Sequence, residues 1–349
     1  MKILFKRVKL NLKHTFRIAR SADDFRHSVI VRILLDELDG LGESAPSPRH
    51  NQTVDTVERA LSTIKAENLK AIDYLEDTLE DLSYRLRDDR TALAGIDLAL
   101  YDILGKRFRA PLYAIFGLNP ARTPVTSYTI GIDTPDIIKL KVKEAENFPI
   151  LKVKMGLDND YEIMETIRSI TDRTVRIDAN EGWTKEEALE KINWLKDKNV
   201  EFIEQPLPAD KLDDMFWLAE RSPLPLIADE SVQVAEDIPR LVGAFHGINI
   251  KLMKCGGIRE AIKMIHTARA CGMKIMLGCM VESSIGITAA AHLSPLVDYA
   301  DLDGNILISN DPAEGVRVKN GKLILPHTPG LGVTVSHSFN LTGKDWHSL

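Results

Sequence analysis

The chain has 349 residues, of which 44% are hydrophobic and 28% charged, and its formal net charge is -6. Such a composition is that of an ordinary globular protein, too long for one small core, so one large barrel or two domains are expected. The mild acidic balance carries no basic stripe for nucleic acid, and no run approaches the ~18–20 uncharged apolar residues of a membrane span.

The N-terminal stretch MKILFKRVKLNLKHTF has a charge every few residues and no apolar centre, so it does not read as a signal peptide. Residues 29–35 (VIVRILL) predict a strand, and GLGESAPSPRHN, from Gly40, reads as a loop broken by Gly and Pro. An amphipathic helix is expected from Thr53 onward and a second over 92–108. In that second helix Ala92, Ala94, Gly95 and Ala99 predict close packing against something larger. Strands followed by helices suggest a small α+β domain over residues 1–120.

After Pro124 the pattern becomes a strand–helix rhythm over 121–320. Strands are expected at 127–132 (SYTIGI), 150–156 (ILKVKMG), 175–180 (VRIDAN), 202–207 (FIEQPL), 225–231 (PLIADES), 248–253 (INIKLM), 274–280 (KIMLGCM) and 299–305 (YADLDGN). Helical patterns such as 185–199 and 259–272 lie between them. Eight strands joined mostly by helices predict an α/β fold of the (β/α) barrel type. The rival is a doubly wound sheet, which would need a Gly-rich dinucleotide turn after its first strand, and none is present. The polar, Gly/Pro-rich segment 321–349 is expected to return to the N-terminal domain. Cys255, Cys271 and Cys279 are odd in number and form no CxxC, as expected of thiols in a reducing, cytoplasmic compartment. The nine histidines make no HExxH or HxH pattern, which speaks against zinc.

The charged residues of these strands recur at a constant period. Lys154, Asp178, Glu204, Asp229 and Lys251 are separated by 24, 26, 25 and 22 residues, one βα unit each time, and Asp301 and Asp303 fall on the eighth strand. The strand ends of a barrel converge on one mouth. Asp178, Glu204 and Asp229 would there form an all-oxygen site suited to Mg²⁺. Any one of these acids alone reads more readily as a surface or capping carboxylate. Three in register, without a cation, would repel one another.

Lys154 and Lys251 would flank the metal from nearly opposite sides. A free lysine has a pKa of about 10.4 and a base useful near neutrality wants roughly 7–8, a gap of about 3.5–4 kcal/mol. Strand alternation puts Lys152 on the same face, about 6.5–7 Å from Lys154. A neighbouring cation there would supply part of that gap and burial the rest. The competing reading of Lys-x-Lys is a solvated strand face.

Together KVKMG, RIDANEGW, FIEQP, ADES, NIKLMKCGGI and ESSIGITAAAH resemble the enolase superfamily, in its muconate lactonizing enzyme subgroup, over nearly the whole chain. The resemblance implies a modified (β/α)7β TIM-type barrel under an N-terminal α+β capping domain. It also implies one Mg²⁺ per subunit on Asp178, Glu204 and Asp229, with Lys154 and Lys251 as acid/base residues, a pairing general to that superfamily. A carboxylate substrate would lose its α-proton to one lysine, the metal would stabilise the enolate, and the second lysine would protonate the opposite face.

YADLDGN is similar to the Asp-x-Asp of dipeptide epimerases, whose carboxylates hold the substrate's α-ammonium group, which assigns that role to Asp301 and Asp303. An isomerase that epimerises dipeptides is the activity implied. Thr129 and Glu282 are further substrate-side candidates, Glu282 as a supporting partner. The capping domain's HTFRIARSADDFRH should close the mouth: Arg17 and Arg20 would suit an acidic side chain, Asp23 and Asp24 a cationic one. Ser284 stands near the place where some Ala-Glu epimerases carry a lysine, and Asn305 where members often have Pro. Lys254 and Glu230 are expected to be local ion-pair residues, and Gly256–Gly257 to offer N–H groups to an anion or simply to turn. Other subgroup activities (N-acylamino acid racemase, o-succinylbenzoate synthase, cycloisomerase) stay open, as does a catalytically inactive barrel acting as a binding protein. Homo-oligomerisation, common among such barrels, has no marker here.

Overall fold

Alternating apolar and polar residues draw the first residues into β1 (Lys2–Ile18), which pairs antiparallel with β2 (Ser21–Leu35), itself antiparallel to β3 (Leu38–Ser44). The computed structural model describes residues 2–65, 69, 72–336, 339 and 346–348. GLGES, expected as loop, is therefore strand. Its glycines are there for the helix Arg90–Arg107, which lies directly on β3: a Cβ at Gly42 would sit 2.0 Å from Gly95 O, and one at Gly40 2.2 Å from Ala99 O. Ala92, Ala94, Gly95 and Ala99 are all buried in that helix, so the small residues pack against the sheet of their own domain. HTFRIARSADDFRH, expected as a closing loop, is the far end of the β1–β2 hairpin, with a register shift between Asn11 and Phe16.

The second sheet is parallel and runs β4 (Tyr128–Ile130), β5 (Ile150–Lys154), β6 (Thr174–Asp178), β7 (Val200–Glu204), β8 (Leu226–Ala228), β9 (Gly247–Ile250), β10 (Lys274–Leu277) and β11 (Tyr299–Ala300). A parallel bridge between Thr126 and Ala300 brings the last strand back beside the first. Helices follow each of β4 to β10, among them Lys185–Leu195 and Ile258–Ala270, which gives the (β/α)7β order. The strands are shorter than their sequence patterns. Asp229, Lys251, Asp301 and Asp303 consequently lie just beyond strand ends.

Buried carboxylates join the two halves. Asp97, on the cap helix, accepts Ile258 N (2.6 Å) and Arg259 N (3.3 Å) at the start of a barrel helix. Gly256 N and Gly257 N both donate to Leu252 O (3.0 Å), so that pair makes a turn, and the N–H groups offered to a carboxylate are those of the two residues after it. Glu43, at the end of β3, accepts Ser28 Oγ (2.8 Å), Ser283 N (3.0 Å), Ser283 Oγ (2.6 Å) and Gly286 N (3.0 Å). At the C-terminal end, the strand His347–Ser348 pairs antiparallel with β1. Among the described residues no helix is long and apolar enough to cross a membrane.

The contact of β3 with its helix gives a direct test. Gly42→Ala must displace a helix backbone oxygen, so it should lower stability by about 1–3 kcal/mol in urea titration. An unchanged midpoint would show that the two elements are not in contact.

Candidate active site

Parallel pairing sets the first three groups side by side. Lys154 is the register partner of Asp178 across β5–β6, and Asp178 is that of Glu204 across β6–β7. Asp229 follows β8 directly and completes a triad in which one carboxylate oxygen from each residue lies within 4.8 Å of the other two. All three acids are buried.

Four buried lysines face them. Lys152 Nζ lies 2.6 Å from Asp301 Oδ2, 2.7 Å from Glu204 Oε2 and 3.1 Å from Asp178 Oδ2. Lys154 Nζ is 2.6 Å from Asp178 Oδ2, and Lys251 Nζ is 2.8 Å from Asp229 Oδ2. Lys254 Nζ is 2.5 Å from Asp229 Oδ1 and also donates to Asp229 O (2.6 Å), so it behaves as the local ion-pair residue its position suggested. Lys152, expected as a bare cation beside Lys154, is instead surrounded by three carboxylates.

Electrostatics follow from that crowding. Burial alone would raise Asp178 and Asp229, but Lys154 and Lys152 around the first, and Lys251 and Lys254 around the second, hold both below the usual carboxylate range. Glu204 is pushed up to about 7 by burial and by Asp178. Burial works to lower Lys152 and Lys251, yet the acids around them keep both above the ordinary lysine value.

The triad fits a hard divalent cation on two grounds. Its donor set is entirely oxygen, as Mg²⁺ prefers. Its acids also gather around positive charge, the Lys152 ammonium reaching Asp178 and Glu204 at once and Lys251 and Lys254 reaching Asp229. Asn249 Nδ2 donates to Glu204 Oε1 (2.6 Å) and fixes that carboxylate's rotation.

On the other side of the mouth, Asp301 Oδ1 accepts Ser127 Oγ (2.6 Å) and Asp303 Oδ2 accepts Thr129 N (2.6 Å). Asp303 is pushed up to about 7 by burial and by Asp301. Both aspartates and Thr129 line one solvent-open cleft together with Lys152, Lys154, Asp229 and Lys251. The cap supplies the roof through Phe16, Arg20, Arg26, Arg49 and His50. In an eight-stranded ring β5 and β9 are diametrically placed, and so are β7 and β11. Lys154 therefore faces Lys251, and the acid triad faces Asp301 and Asp303.

Some candidates lie elsewhere. Arg17 borders a separate surface depression with Ile132, Gly156 and Leu157. Glu282 is buried beside Glu43, accepts Met280 N (2.7 Å), and is pushed up to about 8 by burial and by Glu43; it does not line the cleft. Asp23 ion-pairs with Arg26 (2.7 Å) and Asp24 accepts Thr15 Oγ1 (2.6 Å). Ser284 and Asn305 hydrogen-bond to each other (3.0 Å). Ser127, Arg26, Arg49, Asn180 and Cys279 were not singled out from sequence. Ser127, Asn180 and Cys279 sit in SYTIGI, VRIDAN and KIMLGCM, so their strands were a usable signal; Arg26 and Arg49 belong to segments without a period.

Fold and site define a capped (β/α)7β barrel with a carboxylate triad and opposed lysines at its mouth. The mandelate racemase / muconate lactonizing enzyme N-terminal domain matches residues 2–117, and the enolase C-terminal domain-like family matches residues 137–339. The chain belongs to this family of the enolase superfamily. It is 48% identical to the L-Ala-D/L-Glu epimerase of Bacteroides thetaiotaomicron, over 95% of this chain and 88% of that one. It is 41% identical to an L-Ala-D/L-amino acid epimerase of Maribacter sp., over 96% and 100%. Among solved structures, a dipeptide epimerase from Cytophaga hutchinsonii complexed with Mg and D-Ala-L-Val superposes with a TM-score of 0.92 at 28% identity, covering 100% of this chain and 99% of that one. The substrate-liganded L-Ala-D/L-Glu epimerase of Bacillus subtilis gives 0.89 at 31%, covering 95% and 98%.

Stability reports on the cluster independently of turnover. Lys152→Met removes the cation shared by three buried acids and should cost about 3–5 kcal/mol, with part of the loss recovered when Mg²⁺ is added. A variant as stable as the parent without Mg²⁺ would mean that Lys152 does not balance the acids.

Proposed function

We propose that the protein is a Mg²⁺-dependent dipeptide epimerase that inverts one α-carbon by proton transfer between Lys154 and Lys251. The observation that carries this reading is the cross of charges at the mouth, with two lysines on one diameter and a metal-type triad facing two aspartates on the other. Its relatives from Bacteroides thetaiotaomicron and Maribacter, both epimerases by name, support it.

The substrate's reacting carbon bears a C–H bond that one lysine must break while the other delivers a proton from behind. Opposition of Lys154 and Lys251 provides that geometry. When bound to Asp178, Glu204 and Asp229, Mg²⁺ supplies positive charge against the substrate carboxylate, where negative charge develops. Lys152 ties Glu204 to Asp301 and so fixes the distance between the triad and the opposite wall. Asp301 and Asp303 receive the ammonium group; Ser127 and Thr129 N orient the two carboxylates toward it. A substrate that is both ammonium and carboxylate matches a mouth with acids facing a metal. Muconate and succinylbenzoate precursors leave those aspartates without a partner. The three free cysteines agree with a cytoplasmic setting.

Three experiments test this. L-Dipeptides incubated in D₂O with Mg²⁺ should gain one deuterium at the inverted carbon, read by mass spectrometry, and the gain should vanish with a chelator. No gain across a broad dipeptide set would refute the reading. Lys154→Ala and Lys251→Ala should each slow inversion by about 10²–10⁴-fold, while each still exchanges the α-proton of the one stereoisomer that faces its remaining lysine. Inversion at the parental rate in either variant would exclude the two-base scheme. For the ammonium subsite, Asp303→Asn should lose turnover of free dipeptides, and unchanged turnover of an N-acylated substrate by the parent would remove that role.

A further inference from the structure

A second charged network occupies the rim of the cleft, above the triad. Arg20, at the turn between β1 and β2, donates from Nη1 to Asn180 O (2.7 Å) and Glu181 Oε2 (2.9 Å), and from Nη2 to Glu230 Oε1 (2.7 Å). Arg49, from the cap segment after β3, forks onto the same carboxylate, with Nε to Glu181 Oε2 at 2.6 Å and Nη2 to Glu181 Oε1 at 2.7 Å. Ala209 N, in the loop after β7, adds a bond of 2.8 Å to Oε1. One carboxylate thus joins two cap segments to two barrel loops.

Glu181 stands behind the arginines. Arg20, Arg49, Asn180 and Glu230 line the cleft, and Glu181 does not. Its side chain is only 8% exposed. Asn180 and Glu181 have φ of 47° and 68°, a left-handed pair without glycine, which the surrounding bonds hold in place. Burial pushes the Glu181 carboxyl up, but hydrogen bonds from Arg49 and Ala209 outweigh it and keep it below its ordinary value, hence charged near neutrality.

We propose that Glu181 is a positioning residue that sets how readily an acidic dipeptide side chain is accepted, by competing with that side chain for Arg20. This rests on the dipeptide reading above. Within this network two arginines meet two carboxylates, with Glu181 on Nη1 of Arg20 and Glu230 on its Nη2, while Arg26 nearby pairs with Asp23. A substrate carboxylate reaching Arg20 gains only what Glu181 gives up. Arg49 works in the opposite sense: by forking onto both oxygens of Glu181 it draws that carboxylate away and leaves Arg20 freer for the substrate. Acid preference is therefore a balance between Arg49 and Glu181, and Arg20 is the group they act on.

The test compares L-Ala-L-Glu with L-Ala-L-Gln, which differ at the side-chain terminus in charge and hardly in shape. Glu181→Gln should raise the ratio of kcat/KM for the acid over the amide by at least about fivefold, the scale of one partly exposed ion pair. Arg49→Gln should lower the ratio, and Glu181→Gln combined with Arg20→Gln should erase the gain. The same ratios are read from equilibrium binding of the two dipeptides by calorimetry with Mg²⁺, which requires no turnover. Absence of deuterium exchange therefore refutes the epimerase reading, while an unmoved binding ratio refutes this one. Equal changes for both dipeptides in Glu181→Gln would make Glu181 a structural clasp and overturn the proposal. So would a gain that survives loss of Arg20.

Discussion

Everything at the mouth of this barrel depends on the mutual neutralisation of buried lysines and buried acids. A carboxylate out of water is several kcal/mol unfavourable unless paired, and this floor holds Asp178, Glu204, Asp229 and Asp301 against Lys152, Lys154, Lys251 and Lys254. Lys152 is the centre of the balance, because it alone reaches acids on both walls. The neighbours explain why the acids do not behave alike. Asp178 and Asp229, each with two lysines against it, are held low; Glu204, which shares its one lysine with two other acids and lies against Asp178, is pushed up.

Strand register converts that charge balance into geometry. Pairing of Lys154 with Asp178 and of Asp178 with Glu204 sets three functional groups one strand apart without help from loops. Closure of the ring then makes opposition automatic, since strands four apart face one another. The spacing of one βα unit between charged residues is the linear trace of this arrangement, and it made the barrel and the gathering of the triad legible before any coordinates. The helices expected from Thr53 and over 185–199 were legible as local patterns too, and Thr53 and Thr184 cap them through their own side chains.

Other parts leave no such trace. GLGES looked like a loop because glycines usually break strands; here they are small so that the carbonyls of Gly95 and Ala99 can approach, a demand made by a helix some fifty residues later. Lys152 looked like a free cation because its partners, Glu204 and Asp301, are 52 and 149 residues away. Arg49 and Glu181 meet across 132 residues, and Arg20 and Glu230 across 210. A local pattern records periodicity and capping. Ion pairs between distant segments obey neither, so they become visible only when the fold brings them together. Arg17 illustrates the converse: it sits in the same stretch as Arg20, yet the hairpin directs the two to different surfaces.

The cap is attached to the barrel by two kinds of contact with different physical properties. At its base, Glu43, Asp97 and Asp102 are fully buried and accept backbone N–H groups, Asp102 from Leu41 (2.9 Å) and Leu331 (2.8 Å). Opening those contacts would leave buried amides and carboxylates unsatisfied at about 1–3 kcal/mol apiece, so the base holds the orientation of the cap. At the rim, Arg20 and Arg49 are about one-third exposed and line the cleft, while the carboxylates they hold, Glu181 and Glu230, are nearly buried. A carboxylate entering the cleft meets these guanidinium groups without opening the contacts at the base. On the reading proposed above, the chemistry would be built on strand ends held by register, and the choice of side chain on arginines that face the cleft. A rim of apolar contacts would have closed the cleft as well, but it would have had no charge to exchange with a substrate.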